Sequence, residues 1–281
     1  MFDWAAVGGS VMGVVNVTPD SFSDGGRYLD PEAAIAHGVE LARDGAAVLD
    51  VGGESTRPGA EPVEADAELQ RVVPVVEGLQ AAVDVPISID TTKAAVAEAA
   101  IAAGATIVND VSAGRHDPRM LGVCAASGVG YVAMHMLGEP RTMQDDPRYE
   151  DVVREVGDFL VERLAAARAA GIAERALMAD PGIGFGKTLE HNLTLLAHLQ
   201  DLRARAGVPL LVGTSRKGFL GRLTGEDRAD ARDDATLATV VWSLDHGASM
   251  VRVHDVRRAV QGAAVLTAIR TATRGTVEAR S

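Results

Sequence analysis

Eight short apolar runs, each followed by a helix-like pattern, predict an α/β protein folded as a single (β/α)8 TIM barrel. Three observations carry that expectation. The units average about 35 residues over the 281-residue chain, the span of one strand, one helix and two turns. Three phrases, Asp44-Gly45-Ala46, Ala103-Gly104-Ala105 and His246-Gly247-Ala248, each close a helix on glycine and open a strand. The glycine-rich stretch 8–13 precedes the first strand instead of following it, so the phosphate fingerprint of a doubly wound open sheet is absent.

Taken in order, the strands are expected at 11–15, 47–51, 86–90, 106–111, 130–134, 177–180, 209–213 and 249–253. Each is short and apolar throughout, as a strand covered on both faces should be. Asp30-Pro31 caps and starts the helix that Gly45 ends. Thr91 or Thr92 starts the one that Gly104 ends, residues 149–170 form a helix stopped by Gly171, and residues 232–246 form one stopped by Gly247. The chain reads as one domain over 1–281 with its core at about 11–268. No linker interrupts it, and the tail after about Arg270 is expected to be weakly ordered.

Composition bounds the function. Apolar residues at 47% and charged residues at 23% match globular averages and exclude wholesale disorder. The net charge of −12 argues against nucleic acid and anionic membranes as partners. No apolar run approaches a bilayer span, and the first residues lack a basic region, so neither a membrane segment nor a secretory signal is expected. The lone Cys124 permits no intrachain disulfide, which fits a cytoplasmic protein.

The polar residues cluster where barrels do chemistry, at the carboxyl ends of the strands. Those ends carry Asn16, Asp50 with Glu54, Asp90, Asn109 with Asp110, His135, Asp180, Ser215-Arg216-Lys217, and Arg252 with His254. An enzyme is expected on that ground. The neutral oxygen of Asn16 suits a weakly held Mg²⁺ that keeps waters and phosphate oxygens, although an Asx turn would also use an Asn there. The loop 17–28 is long for a strand–helix connection, as a lid would be. In the loop 52–59, glycines permit close backbone approach and Arg57 can fork onto phosphate; a plain turn is the alternative. Asp90, Asn109 and Asp180 can read a heterocycle rich in N–H and carbonyl groups. Helix capping by Asp90 and turn initiation by Asp180 compete with that reading. Lys217 supplies a mobile charge with three donors, and Phe185 a flat face for a planar ligand. Arg252 and His254 alternate with Val253, so they point the same way and can clamp an anion; a core histidine with a snorkelling arginine is the alternative. His135 faces the rim without an evident acidic partner. No zinc-like spacing of His or Cys occurs.

Residues 12–26 and 49–59 resemble the two long signatures of the dihydropteroate synthase family. Ser88-Ile-Asp, Val108-Asn-Asp, Met134-His-Met, Asp180 through Lys187, Ser215-Arg-Lys and Arg252-Val-His-Asp follow in that family's order. The resemblance implies condensation of 7,8-dihydropterin-6-ylmethyl diphosphate with 4-aminobenzoate, giving 7,8-dihydropteroate and pyrophosphate. It implies a pterin held by Asp90, Asn109, Asp180 and Lys217, Mg²⁺ on Asn16, and a diphosphate held by Asn16, Thr56, Arg57, Arg252 and His254. Pro58, Phe185 and Ser215 would shape the 4-aminobenzoate pocket, where sulfonamides should compete. A homodimer is implied too. Gly218 departs from several relatives, which carry a larger or polar residue there. A non-catalytic pterin-binding paralogue, a pterin-dependent methyltransfer barrel and an aldolase-like barrel are the rival readings. The first has no use for the diphosphate residues, the second none for the first mobile loop or the Arg-Val-His triplet. The third would place a Schiff-base lysine on a strand.

Overall fold

The structure, a computed structural model, describes residues 1–18, 31–57 and 59–278, the side chains of 273–278 excepted. Its eight strands are β1 (Val11–Asn16), β2 (Val48–Gly52), β3 (Ile87–Asp90), β4 (Ile107–Asp110), β5 (Gly130–Met134), β6 (Leu177–Asp180), β7 (Leu211–Val212) and β8 (Met250–Val253). Around them run α1 (Pro31–Arg43), α2 (Ala65–Ala82), α3 (Ala94–Ala102), α4 (Met120–Ser127), α5 (Val152–Ala169), α6 (Leu189–Ala197), α7 (Leu199–Ala206), α8 (Gly218–Thr224), α9 (Asp233–Asp245) and α10 (Val256–Glu278). All ladder pairings are parallel, in the order β6-β5-β4-β3-β2-β1-β8-β7. A single parallel bridge, Ala179 to Leu210, brings β6 against β7. The molecule is therefore a (β/α)8 barrel with one thin seam.

All eight expected strands form, within a residue or two of their expected ends. β7 shortens most, to two residues; Leu210, just before it, meets β6 in the isolated bridge to Ala179 while its carbonyl accepts from the Ser249 and Met250 N–H groups. α3 begins just beyond Thr92 with Lys93 at the N-cap position; its side chain makes no cap bond, and Asp117 Oδ2 accepts from the Ala94 N–H at 3.0 Å instead. Asp151 caps α5 by accepting from the Arg154 N–H. Asp30 and residues 19–28 of the expected lid lie outside the described residues. α10 continues past Arg270 to Glu278, where the sequence pattern led us to expect order to fade.

Strand parity places the site. Residues alternate between the helix-facing core and the barrel interior. The lower interior is apolar, formed by Met12, Val48, Ile107, Val132, Met178, Leu211 and Met250. Trp4 closes its floor from a 3-10 turn over Trp4–Ala6, its indole N–H bonded to the Ala176 carbonyl at 2.9 Å. Two residues higher on the same faces stand Asp50, Asn109, Asp180 and Arg252, with Ser88 and then Asp90 on β3. The interior thus turns from apolar to ionic towards the carboxyl ends. Helix-facing side chains such as Leu49, Val51, Ile87 and Ile89 are fully buried in the outer core.

Candidate active site

Arg252 organises the mouth. Its Nε donates to Asp50 Oδ2 at 2.6 Å and its Nη2 donates to Asp90 Oδ2 at 2.8 Å. Burial works against the charge, but Asp50 and Asp90 outweigh it and hold the guanidinium pKa above its ordinary value. Asp90 therefore serves an ion pair instead of capping the helix that follows. Burial raises its carboxyl to about 7, against the pull of Arg252 and with repulsion from Asp50, Glu68 and Asp110. Asn109 Nδ2 donates to Asp50 Oδ2 at 3.0 Å, while Asn109 Oδ1 is buried and meets no partner among the described residues.

Across the mouth, Asp180 Oδ1 accepts from the Gly182 N–H at 2.7 Å. The turn-forming role expected of this residue is real, and it coexists with a place on the interior rim. Burial raises the Asp180 carboxyl despite Lys217, the Gly182 N–H and Lys187. Lys217 donates to the Ile183 carbonyl and lies over the Phe185 ring at 4.6 Å from its centroid. Burial lowers its ammonium to about 8, with Asp180 opposing. The mouth thus presents acceptors from Asp90, Asn109 and Asp180 opposite cations at Lys217 and Arg252.

His254 Nδ1 lies 2.8 Å from Ser215 Oγ. Burial, followed by Arg252, Arg216 and Arg57, lowers its pKa to about 3, so the protein alone keeps this ring neutral at physiological pH. Arg57 is exposed and Thr56 half-buried on the loop after β2, close enough for Arg57 to act on His254. Pro58 lies outside the described residues. Asn16 sits at the top of β1, paired to Gly52.

Two supports bear on the site without having been assigned from sequence. The first anchors the loop after β2: Lys93 pairs with both Glu54 and the fully buried Glu68, while Arg71 Nη1 donates to the Gly53 carbonyl at 2.8 Å. The second fixes the loop after β6. Gly182 and Gly186 have φ of +65° and +64° and lie so close to the His135 carbonyl and to Leu137 that no side chain fits. Buried Lys187 donates to the Phe185 carbonyl at 3.0 Å and lies 2.9 Å from His135 Nδ1. The partner of His135 is therefore a lysine. Burial drives both pKa values down, His135 to about 2 and Lys187 well below its usual range. Tyr149 OH donates to the Gly186 carbonyl and Gln144 Nε2 to that of Gly184, which completes a rigid shelf under Phe185. Cys124 is buried in α4, away from the mouth, with its thiol pushed up to about 12.

The family model described as pterin binding enzyme matches residues 12–254, a stretch that contains every residue named at the mouth. A dihydropteroate synthase of Mycobacterium leprae is 51% identical over 264 residues, covering 92% of each chain. The chain belongs to the dihydropteroate synthase family of pterin-binding enzymes. Two solved synthase structures from Xanthomonas albilineans superpose on its fold. One, with 4-aminobenzoic acid, has a TM-score of 0.88, 50% identity and 93% coverage of both chains. The other, in complex with 7,8-dihydropteroate, has a TM-score of 0.84, 46% identity and the same coverage. Within this synthase family fold, the interior rim of the chain is where the ionic residues converge.

Proposed function

We propose that the chain is a dihydropteroate synthase, a transferase that joins 7,8-dihydropterin-6-ylmethyl diphosphate to 4-aminobenzoate and releases pyrophosphate. The observation that carries this reading is the hydrogen-bond polarity of the mouth. Three inward acceptors, Asp90, Asn109 Oδ1 and Asp180, match the N–H edge of an aminopyrimidinone ring. The Lys217 ammonium and the Arg252 guanidinium match its carbonyl and ring nitrogens. That match supports pterin binding by these residues; the family resemblance supports diphosphate binding by Asn16, Thr56, Arg57, Arg252 and His254.

The chemistry needs little proton machinery. The bond between the pterin methylene and the diphosphate oxygen breaks with its electron pair leaving on the diphosphate. The amine nitrogen of 4-aminobenzoate bonds to the methylene carbon and gives up a proton to solvent. Asp90 and Asp180 favour positive charge developing on the pterin. An arylamine is a weak base, so attack needs no strong general base. Arg57, Arg252 and Lys217 favour the departing anion's side of the mouth. A bound diphosphate would also raise the pKa of His254; the neutral ring already offers one N–H, and protonation would add a second donor and a charge.

Mg²⁺ fits the donor set on the rim. No group of three His, Cys, Asp or Glu side chains forms a metal cage among the described residues. The carboxamide oxygen of Asn16 at a strand end suits a cation that keeps waters and takes diphosphate oxygens. When bound, it neutralises charge on the leaving group.

The 4-aminobenzoate pocket falls to Phe185, Ser215 and Pro58, beside Gly218. A side chain at Gly218 would meet no atom within 4 Å, so the glycine leaves open space beside Lys217. A homodimer is supported by exposed apolar residues on α9 and α10: Trp242 at 45%, Val265 at 61% and Ile269 at 59% exposure. No described helix is long and apolar enough to cross a membrane, and a cytoplasmic location agrees with the single buried thiol. The acidic surface disfavours nucleic acid as a partner. Mass spectrometry of a mixture of both substrates with Mg²⁺ tests the reading. A product carrying both ring systems is expected, with its yield falling as a sulfonamide is titrated against 4-aminobenzoate. Retained pterin binding with no joined product would turn the reading towards a binding-only paralogue.

A further inference from the structure

We propose that Asp50 is the positioning residue that sets the hydrogen-bond polarity of the pterin pocket, turning the Asn109 amide so that its oxygen faces the ligand and aiming the Arg252 guanidinium. The proposal rests on the pocket described under Proposed function. Asp50 is fully buried on the interior face of β2, paired to Val14 on β1 and Ser88 on β3. One of its oxygens, Oδ2, accepts from Arg252 Nε at 2.6 Å and from Asn109 Nδ2 at 3.0 Å. It therefore touches the two elements on which the pocket's donor and acceptor roles turn.

An arginine side chain has only donors, so its partner at Asp50 must accept. A carboxylate oxygen so engaged admits only the NH2 end of the Asn109 amide. The other end, Oδ1, is then turned into the interior, where it is buried and meets no partner among the described residues. A buried acceptor left this way takes an N–H donor with gain and rejects another acceptor at a cost. Without Asp50 the two ends of the amide are nearly equivalent in shape, and no other hydrogen bond among the described residues holds the oxygen towards the mouth. Arg252 is fixed by the same logic. Its Nε rests on Asp50 and its Nη2 on Asp90, from two neighbouring strands. Two anchors on different edges of a planar fork set its plane, whereas Asp90 alone leaves it free to pivot. Asp50 acts through these two side chains and makes no contact with the reacting atoms.

The test uses Asp50→Leu and Asp50→Asn, with Asp90→Asn and Asn109→Ala as pocket controls. Isothermal titration with a bare dihydropterin and with the pterin diphosphate gives affinity; initial rates give KM for 4-aminobenzoate at saturating pterin diphosphate. Leucine offers no acceptor, so Asp50→Leu is expected to weaken both pterin ligands roughly tenfold to a hundredfold, the scale of a mispaired buried amide and a lost charged hydrogen bond. The KM for 4-aminobenzoate should stay within about twofold, since only the pterin side is disturbed. Asparagine can set its amide oxygen where Oδ2 stands, because Arg252 Nε offers only a donor, and there it accepts from both Arg252 and Asn109. Asp50→Asn should therefore keep much of the pterin affinity that Asp50→Leu loses. A residue that merely supports folding would lower the melting temperature and affect both substrates alike. Wild-type pterin affinity in folded Asp50→Leu, equal losses for both substrates, or a folded Asp50→Asn as weak as Asp50→Leu would each overturn the proposal. If Asp50→Leu does not fold, Asp50→Ala takes its place. Loss of binding in the controls with none in Asp50→Leu leaves the pocket standing and removes this role for Asp50. Unaltered binding in the controls removes the pocket assignment and the proposal with it.

Discussion

Asp90 is buried beside another carboxylate and still has to accept hydrogen bonds from a ligand. Its pKa of about 7 reflects burial first, then the balance between Arg252 and the neighbouring acids. Ligand N–H groups favour the carboxylate, so the bound state holds Asp90 at a lower pKa than the free state and binding releases a proton. Affinity for a bare pterin should therefore rise with pH up to about 7. Lys217, lowered to about 8 by burial, works in the opposite sense. Its charge is present below that value and lost above it, so affinity should fall again past about 8. Titration calorimetry from acid to alkaline pH should show this bell; a flat profile would contradict the two assignments. The inward carboxylates and Asn109 were legible in the sequence because strand parity alone places them at the rim. The double pairing of Arg252 was not, since Asp50 and Asp90 meet it only after the barrel closes β8 against β1. The neutrality of His254 was equally hidden, because it comes from burial and from cations on separate loops.

At the scale of elements, the strands were readable because each is a doubly covered apolar run. The loops were readable only as candidates, because what holds them comes from elsewhere in the chain. The loop carrying Thr56 and Arg57 is tied at its base by Glu54 and Glu68 on Lys93, a residue of the next unit. Lys93→Met leaves the Glu68 carboxylate buried without its cation and should cost roughly 3–5 kcal/mol in urea unfolding. Adding Glu68→Leu should return most of that loss, because an apolar pair of similar volume is tolerated where a lone charge is not. Additive losses in the two variants would show that the ion pair is not what binds this loop. The shelf under Phe185 has a similar logic. Turn initiation at Asp180 was legible, but the dependence of the loop on Lys187, Tyr149 and Gln144 required the fold. The break between α6 and α7 at His198 likewise carries no strong stop signal in the sequence.

The whole molecule carries a net charge of −12, yet its proposed substrate is a diphosphate. Attraction must come from a local patch, Arg57, Lys217 and Arg252 with the Mg²⁺ proposed at Asn16, working against a repulsive surface. Salt screens charges beyond about 8–10 Å and spares those in contact. Raising sodium chloride from about 50 to 200 mM should therefore change the KM for the pterin diphosphate by no more than about twofold. Chelating Mg²⁺ should weaken it about tenfold or more, by the scale of a lost metal contact to phosphate. A steep loss of affinity with salt would instead point to long-range attraction that this charge distribution cannot supply. Exposed apolar residues on α9 and α10 make self-association the whole-molecule property to examine alongside, by sedimentation across protein concentrations. The most direct test of the central claim is pyrophosphate release in Mg²⁺, followed with the pterin diphosphate alone, with 4-aminobenzoate alone and with both. Sustained release is expected only when both are present. Release from the pterin diphosphate alone at the same rate, or none with both while pterin still binds, would contradict it.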